Sequence, residues 1–179
     1  MDALEAIKTR RSIRRYKKTP VPREKLEKIL DAGRWAPSAR NSQPWKFIVV
    51  SDTQVKERVA ESLAFGKFLA EAPLGIAVVV DPGVSSHPVE DGTLAAYSML
   101  LAAHSLGLGG CWINPSHGEE ELKEILGIPR GERLITVISL GYPDEAPSKS
   151  RRELEEIAFT NRYGSRCFTP DKPLQKSAG

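Results

Sequence analysis

The sequence predicts one mixed helix-and-strand domain of about four strands and five or six helices around a single sheet. Two continuous apolar runs, residues 74–81 and 134–140, are bounded by proline or glycine and rich in β-branched residues. Runs of that length and composition read as strands covered on both faces. Between them lie amphipathic stretches with helical spacing. The chain has 179 residues, 40% hydrophobic and 27% charged, which is enough for one sizeable core in an ordinary globular composition.

From the N-terminus, residues 2–8 read as a short helix with Ala3, Leu4 and Ile7 on one side. Arg10-Arg11-Ser12-Ile13-Arg14-Arg15-Tyr16 follows as a basic stretch. Thr19-Pro20-Val21-Pro22 is a rigid connector, and Pro22 suits the first turn of the helix expected over 23–35. Leu26, Ile29, Leu30 and Gly33 give that helix an i, i+3, i+4, i+7 stripe for the core. The run Trp35-Ala36-Pro37-Ser38-Ala39-Arg40-Asn41-Ser42-Gln43-Pro44-Trp45 then separates it from an apolar strand at 46–50. Ser51 or Asp52 caps a helix covering Val55, Val59 and Leu63. After the strand at 74–81 and a loop at 84–90, Asp91 is expected to cap a helix reaching Leu106. That helix is apolar on nearly every side, which suits an interior or a subunit interface. Gly107 is its left-handed stop. A strand at 109–114, a short helix at 119–126 ended by Gly127, and the strand at 134–140 complete the core. A polar remainder carries a helical patch around 154–157.

Several chemistries are excluded by what is missing. A net charge of +3 permits an anionic ligand without calling for nucleic acid or a membrane. Six of the 26 basic residues nevertheless lie between Arg10 and Lys18. A nucleic-acid face would add interleaved aromatics, and only Tyr16 is there. No apolar run reaches the ~20 residues of a membrane span. Two cysteines, Cys111 and Cys167, make neither a disulfide framework nor a zinc set, and a reduced, cytoplasmic setting fits. His87, His104 and His117 lack metal-ligand spacing. Gly107-Leu108-Gly109-Gly110 follows a helix rather than a strand, so it is not a dinucleotide fingerprint. There is no P-loop and no nucleophile elbow.

What remains is a convergence of polar segments. Guanidinium forks and a serine hydroxyl in residues 10–14 suit a phosphate, as does the second basic cluster at 149–151. The small polar loop at 37–41 and the glycine-flanked strand end at 112–114 suit close approach of a planar ligand.

These residues together resemble the FMN-dependent nitroreductase family. The resemblance is carried by Arg10-Arg11-Ser12-Ile13-Arg14, by Ala36-Pro37-Ser38-Ala39-x-Asn41-x-Gln43-Pro44-Trp45, and by Asp91-Gly92 through Gly109. Cys111-Trp112-Ile113, Gly141-Tyr142-Pro143 and Lys149-Ser150-Arg151 extend it. It implies an α+β, three-layer fold with a central mixed, largely antiparallel sheet flanked by helices. It implies one domain over 1–179, with 157–179 an extension that could pack on a partner subunit. It further implies a homodimer with FMN at the interface and NAD(P)H as co-substrate. Arg10, Arg11, Ser12 and Arg14 would meet the phosphate and the pyrimidine edge. Arg14 would also stabilise the reduced ring. Pro37, Ser38, Ala39 and Asn41 would come from the other subunit. Trp112, Ile113 and Asn114 would pass beside the ring, and Lys149 and Arg151 would return to the phosphate. Gln43 would stand behind the ligand, and Lys67 could reach the flavin.

The implied activity is ping-pong electron transfer from NAD(P)H to nitroaromatic, quinone or related acceptors, with no catalytic side chain beyond those that hold the flavin. The alternatives are another oxidant (dehalogenation, enone reduction or flavin fragmentation) or non-catalytic FMN binding and storage.

Overall fold

The computed structural model describes residues 1–115 and 118–165, and four of its segments form one sheet. These are β1 (Trp45–Val50), β2 (Leu74–Val80), β3 (Gly109–Ile113) and β4 (Arg133–Gly141), in the order β1-β2-β4-β3. All three pairings are antiparallel, so the fold is α+β. The two continuous apolar runs are β2 and β4, the central pair, buried along all but their first residue. Their composition follows from that central position, with side chains covered on both faces.

Five helices make the outer layers: α1 (Ala3–Thr9), α2 (Arg23–Arg34), α3 (Thr53–Glu61), α4 (Pro88–Ser105) and α5 (Glu119–Leu126). Ile29 from α2 and Ala96, Met99 and Leu100 from α4 pack with Ile76, Val78, Val80, Ile138 and Leu140. On the opposite face, Val59 from α3 and Leu122 from α5 pack with Ala77, Val79 and Val137. The alternation along β2 thus feeds one core with even-numbered residues and the other with odd-numbered ones.

An irregularity serves this arrangement. The β2–β4 register shifts between Val78 and Val79, which face Thr136 and Leu134, so Ile135 is the extra residue. A bulge reverses the facing of everything beyond it. Leu134 enters the α3–α5 core and Ile135 the α2–α4 core. There Ile135 lies where a Cβ on Gly92 of α4 would sit, 2.8 Å from its Cγ1.

Helix α4 begins earlier than the sequence suggests. Pro88 takes the first helical position, with His87 at the cap, and Asp91 is buried within the first turn. Proline at that position is a start signal that outranks an acidic residue three places later. Pro22, conversely, caps α2 rather than entering it. Asp52 does cap α3, accepting from the Val55 N–H at 2.9 Å. Gly107 and Gly127 have φ of +77° and +66°, the left-handed stops expected of them. The apolar circumference of α4 is only half used: Val89, Leu94 and Tyr97 stay exposed. Among the described residues, no helix is long and apolar enough to cross a membrane.

Residues 1–147 form one unit and 148–179 another. The second carries a 3-10 turn at Leu154–Glu156 and a ring contact between Phe159 and Tyr163 at 4.8 Å. Cys167 and the tail from 166 lie outside the described residues, as does His117.

The N-terminal segment joins the sheet as a strap beside β3. Ser12 bridges Gly110 in parallel sense, and the Ile13 N–H donates to the Gly110 carbonyl at 3.1 Å. Further on, Lys17 N–H donates to Tyr142 O at 2.9 Å and Asp144 N–H to Arg15 O at 3.0 Å. This approach needs a bare backbone at Gly109, where a Cβ would stand 2.5 Å from Ile13 Cγ1 and 2.9 Å from Ile13 Cβ, and the next glycine is packed against the sheet and α4. A Cβ on Gly110 would stand 2.8 Å from Leu100 Cδ2 and 2.9 Å from the Ser139 carbonyl oxygen. Gly110→Ala should therefore cost about 1–3 kcal/mol through overpacking, read as a lower urea midpoint with an unchanged slope.

Candidate functional site

The strap carries the chemistry because its side chains diverge. Arg14 lines a cleft of about 460 Å3 with Phe65, Phe68, Cys111, Trp112, Ile113 and Asn114. Its guanidinium lies 5.8 Å from the centre of the Phe68 ring. Burial pushes the Cys111 thiol up from its ordinary pKa, while Arg14, a hydrogen bond with Ser12, and Arg10 pull the other way. Arg10, Ser12 and Arg14 therefore share the electrostatic environment of Cys111. The Arg10 Nε is buried and has no hydrogen-bond partner among the described residues. A buried unpaired guanidinium nitrogen is costly, and its natural complement is an anion.

Arg11 and Ile13 line a different cavity, of about 240 Å3, with Thr9, His104, Leu108 and Pro143. The Arg11 Nη1 donates to the carbonyls of Lys8 and Arg10, both at 2.8 Å. Thr9 Oγ1 donates to the Glu5 carbonyl at 2.6 Å and meets His104 Nε2 at 2.7 Å. With its own proton so committed, the hydroxyl accepts from the imidazole. Burial, then Arg10 and Arg11, push the His104 pKa down. This histidine ties α4 to α1.

Glu145, which lines the same cavity as Arg11, fixes the strap by its backbone. Its carboxylate accepts from the backbone N–H groups of Arg14 and Arg15 and pairs with Arg15 Nε at 3.7 Å. The Arg14 N–H bond is the main reason its pKa lies below the ordinary range. Tyr16 is buried behind, its hydroxyl donating to the Ile13 carbonyl and 2.7 Å from Ser139 Oγ. Burial pushes that phenol up.

The second expected group lies elsewhere. Residues 38–43 form a turn in which Arg40, Asn41 and Gln43 have φ of 54°, 57° and 48°. Pro37 and Asn41 are exposed, and Ser38 and Ala39 half-buried. Ala39 N–H donates to Asp91 Oδ1 at 3.0 Å, which ties the turn to the N-terminal end of α4. Thr9 is tied through His104 to the C-terminal end of the same helix. Thirteen residues of α-helix separate the two anchor points, about 20 Å. Neither cavity that holds strap residues is lined by a residue of the turn.

The structure thus brings Arg10, Ser12 and Arg14 together beside the β3 end, with Arg14, Trp112, Ile113 and Asn114 in one cleft. It places Arg11 against the other cavity and the 37–41 group at the far end of α4. Lys67 is exposed on a 3-10 turn, Lys67–Leu69, beside the cleft residues Phe65 and Phe68. Lys149 and Arg151 are exposed in the second unit, where Arg151 Nη1 donates to the Ser150 carbonyl at 3.1 Å. Sequence reasoning missed Glu145, Phe68 and the anchoring role of Asp91. Glu145 and Arg14 are 131 positions apart, and nothing local marks their contact. Pro88 was the available signal for Asp91, since it sets the helix start.

A three-layer α+β protein with a cationic cleft at its sheet edge is the class defined so far, and comparison with known proteins narrows it. Residues 7–81 and 62–142 match the nitroreductase family. A candidate NADH dehydrogenase/NAD(P)H nitroreductase of Methanothermobacter thermautotrophicus is 43% identical over 153 residues, covering 82% of this chain and 80% of the relative. Among solved structures, an FMN-dependent nitroreductase of Clostridium difficile superposes with a TM-score of 0.84 at 34% identity, covering 89% of this chain and 99% of that one. The NADPH:FMN oxidoreductase of Vibrio harveyi, complexed with NAD+, has a TM-score of 0.80 at 26% identity, covering 89% and 77%. The chain belongs to the nitroreductase family.

Glu145→Gln should destabilise the fold by about 1–2 kcal/mol at neutral pH, by weakening two hydrogen bonds to a charged acceptor. A carboxyl with a depressed native pKa stabilises fully above its unfolded value, about 4.3, and less as pH falls through the native value. The gap between native and variant chains in urea denaturation should therefore close in acid.

Proposed function

We propose that the chain is an FMN-dependent oxidoreductase that passes electrons from NAD(P)H to small organic acceptors such as nitroaromatics or quinones. The observation that carries this is the cleft: Arg14 beside apolar walls from Phe68, Trp112 and Ile113, with Ser12 and Arg10, whose buried Nε has no hydrogen-bond partner among the described residues, grouped around its Cys111. Those residues fit FMN. Arg10 and Ser12 suit its phosphate, Arg14 the pyrimidine edge of the ring, and the aromatic and aliphatic walls the ring plane. Lys149 and Arg151, exposed in the second unit, remain a second cationic pair of a kind suited to phosphate, and Arg11 backs the strap. The whole chain, 1–179, acts as one functional domain.

Bound there, FMN supplies the hydride and electron chemistry. The chain's part is to hold and orient it. Arg14 offers positive charge where negative charge develops on the ring. Phe65, 87% exposed at the cleft mouth, leaves the approach open to a flat molecule. One open face serves donor and acceptor in turn, which is ping-pong turnover. The family relatives named for NADH and NADPH support the donor.

Pro37, Ser38, Ala39 and Asn41 reach this flavin from a second copy of the chain. The 20 Å separation along α4 motivates that reading, together with the exposed Leu94 and Tyr97 on the same helix. An antiparallel pairing of α4 with its mate sets the turn of one chain beside Arg10 of the other.

The purified protein should be yellow with one FMN per chain, and anaerobic NADH or NADPH should bleach it. Arg10→Ala should weaken FMN binding about ten- to a hundredfold, the worth of a charge-assisted contact, in a fluorescence-quenching titration. A colourless protein that ignores added FMN would refute the assignment, and a flavoprotein inert to both nicotinamides would be a storage protein.

For the assembly, light scattering should report a dimer at micromolar concentration, with an interface above ~2,000 Å2. Leu101→Asp on α4 should remove dimer and flavin together. A monomer with stoichiometric FMN would show the site to be complete in one chain.

A further inference from the structure

The turn at 38–43 is strained, and what holds it is a single buried carboxyl group. Left-handed φ angles are unfavourable for L-residues, least so for asparagine. Arg40, Asn41 and Gln43 all adopt them, and none is glycine. Such strain persists only where the surroundings over-determine it. Inside the turn, Asn41 N–H donates to Ser38 O at 3.0 Å, Ser42 N–H to Ala39 O at 3.0 Å, and Gln43 N–H to Ser38 Oγ at 3.0 Å. Those bonds close the turn on itself but do not fix it to the protein.

Asp91 does that. It is 3% exposed, in the first turn of α4. A carboxylate there ordinarily serves its own helix, bonding free N–H groups of the first turn. The donors to Asp91 come from two other segments. Ala39 N–H reaches Oδ1 at 3.0 Å, and Ser42 Oγ reaches Oδ2 at 3.4 Å. Ser85 Oγ reaches Oδ2 at 2.5 Å and itself accepts from His87 N–H at 3.0 Å. The backbone beneath is equally constrained, because Gly92 packs against Val80 and the bulge residue Ile135 with no room for a Cβ. Core packing sets the height of Asp91, and Asp91 sets the turn.

We propose that Asp91 is a positioning residue for flavin binding: it presets the strained 38–43 turn in the conformation that meets the cofactor. The proposal rests on the assignment of that turn to the flavin site. Asp91 touches no ligand itself and acts through Ala39 and Ser42. With the carboxylate in place, FMN meets a turn already ordered, and the ordering entropy is not charged against binding.

The test compares Asp91→Ala, Asp91→Asn and Val59→Ala, a cavity variant in the opposite core layer. The readouts are FMN affinity and amide hydrogen exchange over 38–43. Asp91→Ala should speed exchange across the turn and weaken FMN at least about tenfold, as expected for a lost charged acceptor. Asp91→Asn retains an oxygen for the Ala39 N–H and should recover most of both. Val59→Ala should lower the melting temperature and leave FMN affinity unchanged. Should Asp91→Ala fail to fold, the native protein still decides: its Ala39 amide must exchange slowly, and exchange at the rate of a free loop amide overturns the proposal. So does Asp91→Asn binding FMN as poorly as Asp91→Ala. A turn loosened in Asp91→Ala with FMN affinity intact would retain the clamp and remove the turn from the flavin site, overturning the proposal there while leaving the cleft assignment standing.

Discussion

The bare backbone of Gly109 and Gly110 is the point at which the rest of the structure meets. The N-terminal strap can lie along β3 because Gly109 has no Cβ to strike Ile13, and the cleft is built around that contact. Ser12 pairs with Gly110, so Arg10 and Arg14 flank Cys111. The extended backbone then sends Arg11 and Ile13 to a separate cavity. Glu145 and Tyr16 reinforce a geometry that the backbone pairing has already imposed. The cationic face is thus a product of β-type alternation in a segment that carries no strand of its own.

Helix α4 distributes the consequences. One side closes the core against β2 and β4. Its first turn carries Asp91, its last turn His104, and each holds a different loop or helix in place. The helix that closes one core layer therefore also fixes the distance between the two polar groups. Stability and site geometry are coupled through one rigid rod, so substitutions that tilt α4 act on both.

The sequence was legible wherever information is local. The runs at 74–81 and 134–140 located the central strands because continuous burial leaves a compositional mark. Gly107, Gly127 and Asp52 marked helix ends because those positions have specific backbone needs. The bulge at Ile135 was not legible, since nothing in a run of β-branched residues shows which one is extra. Nor was the divergence of Arg10 from Arg11, which depends on the partner strand. Asp91 was seen as polar and near a helix start, yet its partners lie 6, 49 and 52 positions away. The family resemblance supplied a site that elementary patterns could only outline.

The anchor points on α4 have a geometrical corollary. The midpoint between Asp91 and His104 falls between Tyr97 and Ser98. In the proposed assembly, a two-fold axis that sets one end of α4 against the other end of its mate has to cross the helix there. Tyr97 then faces its own symmetry copy, whereas Leu94 faces the region of Leu101. A substitution at 97 is felt twice in one place, and two identical charges introduced there would confront each other. At 94 or 101 the same change is felt once in each of two places, and one partner can be altered to compensate for the other. The middle of α4 should consequently drift more slowly than its flanks, for reasons of symmetry alone.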